Sequence, residues 1–170
     1  MNRQIKMIDL QPMTRELMHE LYRGFSFDPD IFMDMDLYEK NKDYKYNAEK
    51  TDALYDMRCA EEGSIAFAVM LNNKVIGEVG LRHADPDKKE CELSVHMQND
   101  SVKNKGYGTQ AEILAIEYAF GQLRMEHIYA DSLVKNTRSQ HIMEKLGFVY
   151  QNEEDGFKNY RLDRKDWNNV

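Results

Sequence analysis

The sequence predicts a mixed α+β domain: a mostly antiparallel sheet of six to seven strands flanked by about four helices, in a single domain over residues 1–170. Three observations predict it. Asn72-Asn73 stands between two apolar runs, 64–71 and 74–81, and marks a tight hairpin. Asp155-Gly156 does the same between 148–151 and 157–162. Between these hairpins an alternating run, 91–97, is followed by a glycine loop, a helical run and a strand-like run, 128–133. Strands joined through a helix lie parallel, with a right-handed crossover.

The remaining elements follow in chain order. Ile5, Met7 or Ile8 and Leu10 suggest a short first strand. Thr14 fits an N-cap for a helix over 15–22 that places Leu17, Met18 and Leu21 on one side. Residues 24–36 are irregular, with Asp28-Pro29-Asp30 a turn. Residues 51–59 look helical, and Tyr38, Tyr44, Tyr46 and Tyr55 stand among charges between 37 and 61. Asp85-Pro86-Asp87 turns the chain into 90–97. A long helix runs to Leu123, and a short one from Asn136 to Lys145 is closed by Gly147, a C′ glycine.

Composition excludes several classes. A chain of 170 residues is long enough for a real core in one domain. A net charge of −7 argues against a general nucleic-acid binder. Cys59 and Cys91 match no metal or redox spacing, and read as free thiols in a reducing cytoplasm. The first residues lack the apolar stretch of a signal peptide, and no segment approaches a membrane span. The expected setting is cytoplasmic, with neither nucleic acid nor membrane as partner. The last hairpin leaves an edge strand through which a homodimer can form.

The most informative stretch is Lys103-Asn104-Lys105-Gly106-Tyr107-Gly108-Thr109. Glycines let a backbone approach an anion closely, and the first amides of the following helix lack internal partners. Lys103 and Lys105 add positive charge there. The spacing is neither GxxxxGK[ST] nor GxGxxG, because Gln110 and Ala111 follow Gly108. Locally the stretch reads either as a phosphate cradle or as a tight strand-to-helix turn.

With these residues in view, the chain resembles the GNAT superfamily of acetyl-CoA-dependent N-acetyltransferases. The likeness covers nearly the whole chain in element order and is sharpest over 75–148. That family's pyrophosphate loop runs Gln/Arg-x-x-Gly-x-Gly/Ala, matched here by Lys103 through Gly108 with a lysine in the first place. Its second segment, an asparagine in a short helix ending in Leu-Gly-Phe, is matched by Asn136, Ser139 and Leu146-Gly147-Phe148. The wording of this segment looks most like the branch of ribosomal-protein alanine and serine N-acetyltransferases.

The resemblance implies direct attack of a primary amine on the thioester of acetyl-CoA, with no metal. The amine is a peptide N-terminus, a polyamine or another small amine. It implies a sheet splayed between 91–97 and 128–133, where the cofactor arm enters. Lys103, Asn104, Lys105, Gly106, Tyr107, Gly108 and Thr109 would hold the pyrophosphate. Met97 and Gln98 would end their strand in a bulge whose amide polarises the thioester carbonyl. Asn136 would bond the cofactor arm or cap its own helix. Ser139, one turn on, would bond the cofactor or protonate the leaving thiolate. Relatives place a tyrosine acid where this chain has Met143. Glu92 or Asp131 would be the base, with His96 and Glu78 as lesser candidates. The acidic run Asp28, Asp30, Asp34, Asp36 and Glu39 is either a solvated face or an attractor for a cationic amine. A non-catalytic acyl-CoA-binding or sensor domain of the same fold is the alternative.

Overall fold

The computed structural model describes residues 8–27, 39 and 42–167. Its strands are β1 (Asp9–Pro12), β2 (Ile65–Leu71), β3 (Lys74–Asp85), β4 (Glu90–Met97), β5 (His127–Leu133), β6 (Val149–Glu154) and β7 (Phe157–Asp163). Its helices are α1 (Arg15–Arg23), α2 (Ala48–Ala60), α3 (Tyr107–Gly121) and α4 (Thr137–Lys145). One seven-stranded sheet runs β1-β2-β3-β4-β5-β7-β6, antiparallel throughout except between β4 and β5. This is the mixed, mostly antiparallel architecture the sequence predicts.

The local signals act as their chemistry requires. Thr14 Oγ1 accepts the Leu17 amide at 3.2 Å and starts α1. Asn72 and Asn73 both adopt positive φ (49° and 62°), as a two-residue hairpin with right-handed strand twist demands. Asp155 and Gly156 repeat this at 51° and 81°. Asp85 Oδ1 accepts the amides of Asp87 and Lys88, each at 3.0 Å, and closes the turn into β4.

Boundaries differ from expectation where a cap or a bulge intervenes. α2 begins three residues earlier than the apolar pattern indicates, because Asn47 Oδ1 caps it through the Lys50 amide at 2.8 Å. β3 runs on to Asp85 through an irregularity between Arg82 and Asp85, where His83 takes a positive φ of 49°. His83 is an exposed strand residue, paired with Glu92 (3.3 Å) and Glu61 (3.1 Å). Ile5, Met7, the Asp28–Asp36 acids and Tyr38 lie outside the described residues.

Two layers of helix cover the sheet. Ala111, Ala115, Ile116, Ala119 and Phe120 of α3 pack with Leu81, Cys91, Leu93, Ile128 and Met143 in the main core. A smaller core joins Leu21 of α1 to Ala68, Met70 and Val75. α1 and α2 are tied by Arg15, which reaches Asp52 (2.8 Å) and Asp56 (2.5 Å), and by His19 Nε2 to Asp52 (3.0 Å). The parallel β4–β5 pairing covers only Glu90 to Glu92 against His127 to Tyr129. Beyond Glu92 the strands part, and the sheet opens as a wedge between them.

Candidate active site

Strand alternation aims the backbone into this wedge. The Gln98 amide donates to Ile76 O at 2.8 Å, so the residue pairs bonded to β3 are 98, 96 and 94. The amides of Met97 and Val95 therefore point the other way, toward the side from which β5 has withdrawn. The register against β3 is unbroken through Met97, so the expected bulge at the end of β4 is absent; the irregularity sits at the opposite end, after Arg82. A regular strand suffices, since splaying alone frees the outward amides. Gln98 serves as support. Its amide is engaged with Ile76, and its Nε2 donates to Leu21 O at 2.8 Å, holding the end of α1.

The glycine loop stands at the wide end. Gly106 is the N-cap of α3 at φ +80°, and its carbonyl accepts the Gln110 amide at 3.0 Å as the first helical bond. The amides of Tyr107, Gly108 and Thr109 precede that bond and so have no partner within the helix. The left-handed conformation explains Gly106, since another residue there costs about 1–2 kcal/mol. Gly108 has a different reason: a Cβ there would meet Met97 Sδ at 3.7 Å, an ordinary contact. The fold tolerates a side chain at 108, so what a glycine provides is open access to the amides.

A cleft of about 480 Å³ joins these parts. Met97, Lys103, Asn104, Gly106, Gly108, Thr109, Asn136 and Ser139 line it, as the sequence reading grouped them. Lys105 and Tyr107 do not; Tyr107 packs against the core and Lys105 is exposed. Lys103 Nζ is held by Asp100 at 3.0 Å. Asn136 caps α4 through the Ser139 amide at 3.2 Å while also facing the cleft, so both of its expected roles are compatible. Met143 is buried in the core.

Glu92 and Asp131 are placed elsewhere. Together with Glu154 they line a second cleft of about 450 Å³, beside β6 and β7, on the sheet face opposite α3. Half-burial and the neighbouring Glu92 charge push the Asp131 carboxyl above its ordinary range.

Besides Lys103 and Arg138, two titratable groups line the first cleft. His96 shares the Glu92 face of β4 and abuts the rings of Tyr22 and Phe25. Burial holds its imidazole below its ordinary value, Glu78 opposing and Arg58 and Arg82 assisting. Its Nε2 is buried with no hydrogen-bond partner among the described residues. Glu112, on the second turn of α3, is 5 % exposed, and its Oε2 likewise lacks a partner among the described residues. Burial pushes its carboxyl up to about 8. The sequence reading passed over Glu112 and Arg138. The signal for Glu112 was legible: it is an acid on the apolar stripe formed by Ala111, Ala115, Ile116 and Ala119. Arg138 Nη1 donates to Asn104 Oδ1 at 3.1 Å and joins α4 to the loop.

A narrow apolar-walled cleft, helix-terminal amides at one end and outward strand amides along its side fit a long thioester with a charged diphosphate end. Among the described residues no cluster of three or more His, Cys, Asp or Glu is placed to hold a metal ion. No described helix is long and apolar enough to cross a membrane.

A family model described as Acetyltransferase (GNAT) domain matches residues 8–149. The spermidine N(1)-acetyltransferase of Escherichia coli K12 is 27% identical over 110 residues, which is 65% of this chain and 58% of that protein. The match thus spans little more than half the length of that relative. Among solved structures, the Vibrio cholerae spermidine N-acetyltransferase in complex with CoA and spermine superposes with a TM-score of 0.72 at 18% identity, over 95% of this chain and 98% of the other. A dodecameric form of that enzyme in an intermediate state gives 0.71 at 18%, over 94% and 95%. At such identities the superpositions speak for the fold.

Proposed function

The chain belongs to the GNAT acetyltransferase family, and from that premise we propose that it transfers the acetyl group of acetyl-CoA to a primary amine, polyamine-like alkylamines being the acceptor class. The observation that carries this reading is the meeting, in one cleft, of the α3 amides, the outward amides of Val95 and Met97, and Asn136. The Tyr107–Thr109 amides and Lys103 receive the diphosphate, and Asn136 bonds the arm. Met97 N–H stands where the carbonyl oxygen gathers charge as the amine attacks. The relatives named above are spermidine acetyltransferases, which favours polyamines over the ribosomal-protein termini suggested by the wording of α4. The net charge of −7 suits a cationic acceptor.

The amine must lose a proton as it attacks, since alkylammonium groups have pKa values near ~10.4. We assign that proton to His96, a neutral imidazole that lines the cleft holding the Met97 amide and whose Nε2 is without a hydrogen-bond partner among the described residues. Glu92 and Asp131 then draw the cationic acceptor to the outer mouth of the wedge. A second reading makes Asp131 the base, favoured by its raised carboxyl pKa. Comparing His96→Gln, Asp131→Asn and Glu92→Gln separates the two. Loss of a base lowers kcat by about 10²–10⁴-fold and removes one limb of the pH profile. Loss of an attracting charge raises KM and leaves kcat alone.

The whole reading is tested by incubating the protein with acetyl-CoA and spermidine, spermine, amino acids and peptides, following thiol release. Amine-dependent release, strongest with the polyamines, is expected. CoA binding without release from any acceptor class would instead establish the non-catalytic binding domain.

A further inference from the structure

Resting on the acetyl-CoA reading above, we propose that Glu112 is the acid that hands a proton to the CoA thiolate as it departs. Four observations carry the assignment. Glu112 lines the same cleft as Met97 and Ser139. It lies one helical turn beyond Gly108, where an added Cβ would meet Met97 Sδ at 3.7 Å, so it shares the α3 face that meets the end of β4. It is 5 % exposed and its Oε2 has no partner among the described residues, although α3 packs it in an otherwise apolar stripe. Among the described residues no buried cation neutralises it: the charged groups that line the cleft with it are His96 of β4, Lys103 of the loop and Arg138 of α4, and burial alone accounts for its shift. Lys103 is engaged with Asp100, and Arg138 with Asn104.

A carboxyl in this setting keeps its proton at neutral pH. The group it faces on product formation is a thiolate, whose conjugate acid has a pKa near ~8.5. Glu112's value of about 8 lies near a neutral operating pH, the condition under which acid catalysis is efficient. The step balances as follows. The amine lone pair forms the C–N bond. The C–S bond breaks with its electron pair passing to sulfur, and sulfur takes the Glu112 proton. The amine's proton leaves on the opposite sheet face through His96 to solvent, and solvent returns a proton to Glu112. Burial pushes the two groups in opposite directions, His96 toward the neutral base and Glu112 toward the neutral acid, so each starts the cycle in the form it needs.

The experiment compares wild type, Glu112→Gln and Glu112→Asp with CoA bound, reading the thiolate by its ultraviolet absorbance across pH. In wild type the carboxyl and the thiol titrate as a coupled pair, because ionising one opposes ionising the other. Glu112→Gln removes that opposition, and the bound thiol is expected to ionise about one pH unit lower. In turnover, Glu112→Gln should lose about 10²-fold or more in kcat; Glu112→Asp keeps the coupled titration and part of the rate. Thermal melts of the CoA-free protein check the ionisation itself. A carboxyl held at about 8 when folded, against 4.5 unfolded, binds its proton more tightly when folded. Wild-type stability therefore falls as pH rises from 4.5 to about 8, and Glu112→Gln abolishes that fall. Identical thiol titrations in wild type and Glu112→Gln overturn the assignment, whatever happens to kcat. Failure of the wild type to bind CoA overturns the acetyltransferase reading instead.

Discussion

Gly108→Asp removes measurable CoA binding and leaves the fold standing. Position 108 is the second residue of α3, among the amides that precede the first helical bond. A carboxylate there faces the site assigned to the diphosphate. Two like charges 4 Å apart repel by about 4 kcal/mol at an effective dielectric of about 20, which is roughly a thousandfold in Kd. The change does not injure the apo fold. The added Cβ finds Met97 Sδ at 3.7 Å and Cγ at 3.8 Å, within ordinary contact. An acid in the first turn also suits the helix dipole by a few tenths of a kcal/mol or more. Thermal melting should thus be unchanged or slightly raised while calorimetry with CoA shows no heat. Gly108→Ala is the control, with the same Cβ and no charge, and it should weaken binding only modestly. If Gly108→Asp binds CoA as the wild type does, the diphosphate lies elsewhere.

That experiment isolates what a sequence can announce. The Gly106-x-Gly108 loop, the hairpins at Asn72-Asn73 and Asp155-Gly156, and the Thr14 cap are legible because each is a local contract between a residue type and a backbone conformation. Likewise the parallel pairing of β4 and β5 follows from connectivity alone. The candidates for a base were harder to place. Glu92 and Asp131 share a face by alternation, but which cleft that face opens into depends on β6 and β7, remote in the chain. The bulge was expected at Met97 because the resemblance implies one there, beside the thioester. Here β3 holds β4 in register to its last residue, and β5 is the strand that leaves. Glu112 was passed over because an acid within a helical run ordinarily faces water, although its place on the apolar stripe of α3 marks it as an exception.

Arg58→Ala should be the most destabilising single change outside the hydrophobic core. Arg58, from α2, ion-pairs with Glu78 of β3, and it also donates to Tyr22 Oη at 3.5 Å. The Glu78 side chain is 3 % exposed and that of Arg58 17 %. Removing one member of a buried pair strands the other's charge and costs about 3–5 kcal/mol. Urea denaturation reads this directly, and Arg58→Met with Glu78→Leu should recover most of it, since the pair itself contributes little beyond an apolar replacement. The functional consequence runs through His96. Burial is the main force holding its imidazole below 6.5, with Arg58 adding to that and Glu78 opposing it. Without Arg58 the unbalanced Glu78 carboxylate favours the imidazolium, so His96 protonates at higher pH. If His96 takes the amine's proton, the acidic limb of kcat/KM must move to higher pH in Arg58→Ala, in protein still folded under assay. Wild-type stability also falls as pH drops below 6.5, because the unfolded chain binds that proton more readily than the folded one. In Arg58→Ala the fall attributable to His96 shrinks as its folded pKa approaches the unfolded one. A large loss in the urea midpoint with an unmoved rate profile would keep the ion pair as a structural clamp and take His96 out of the chemistry.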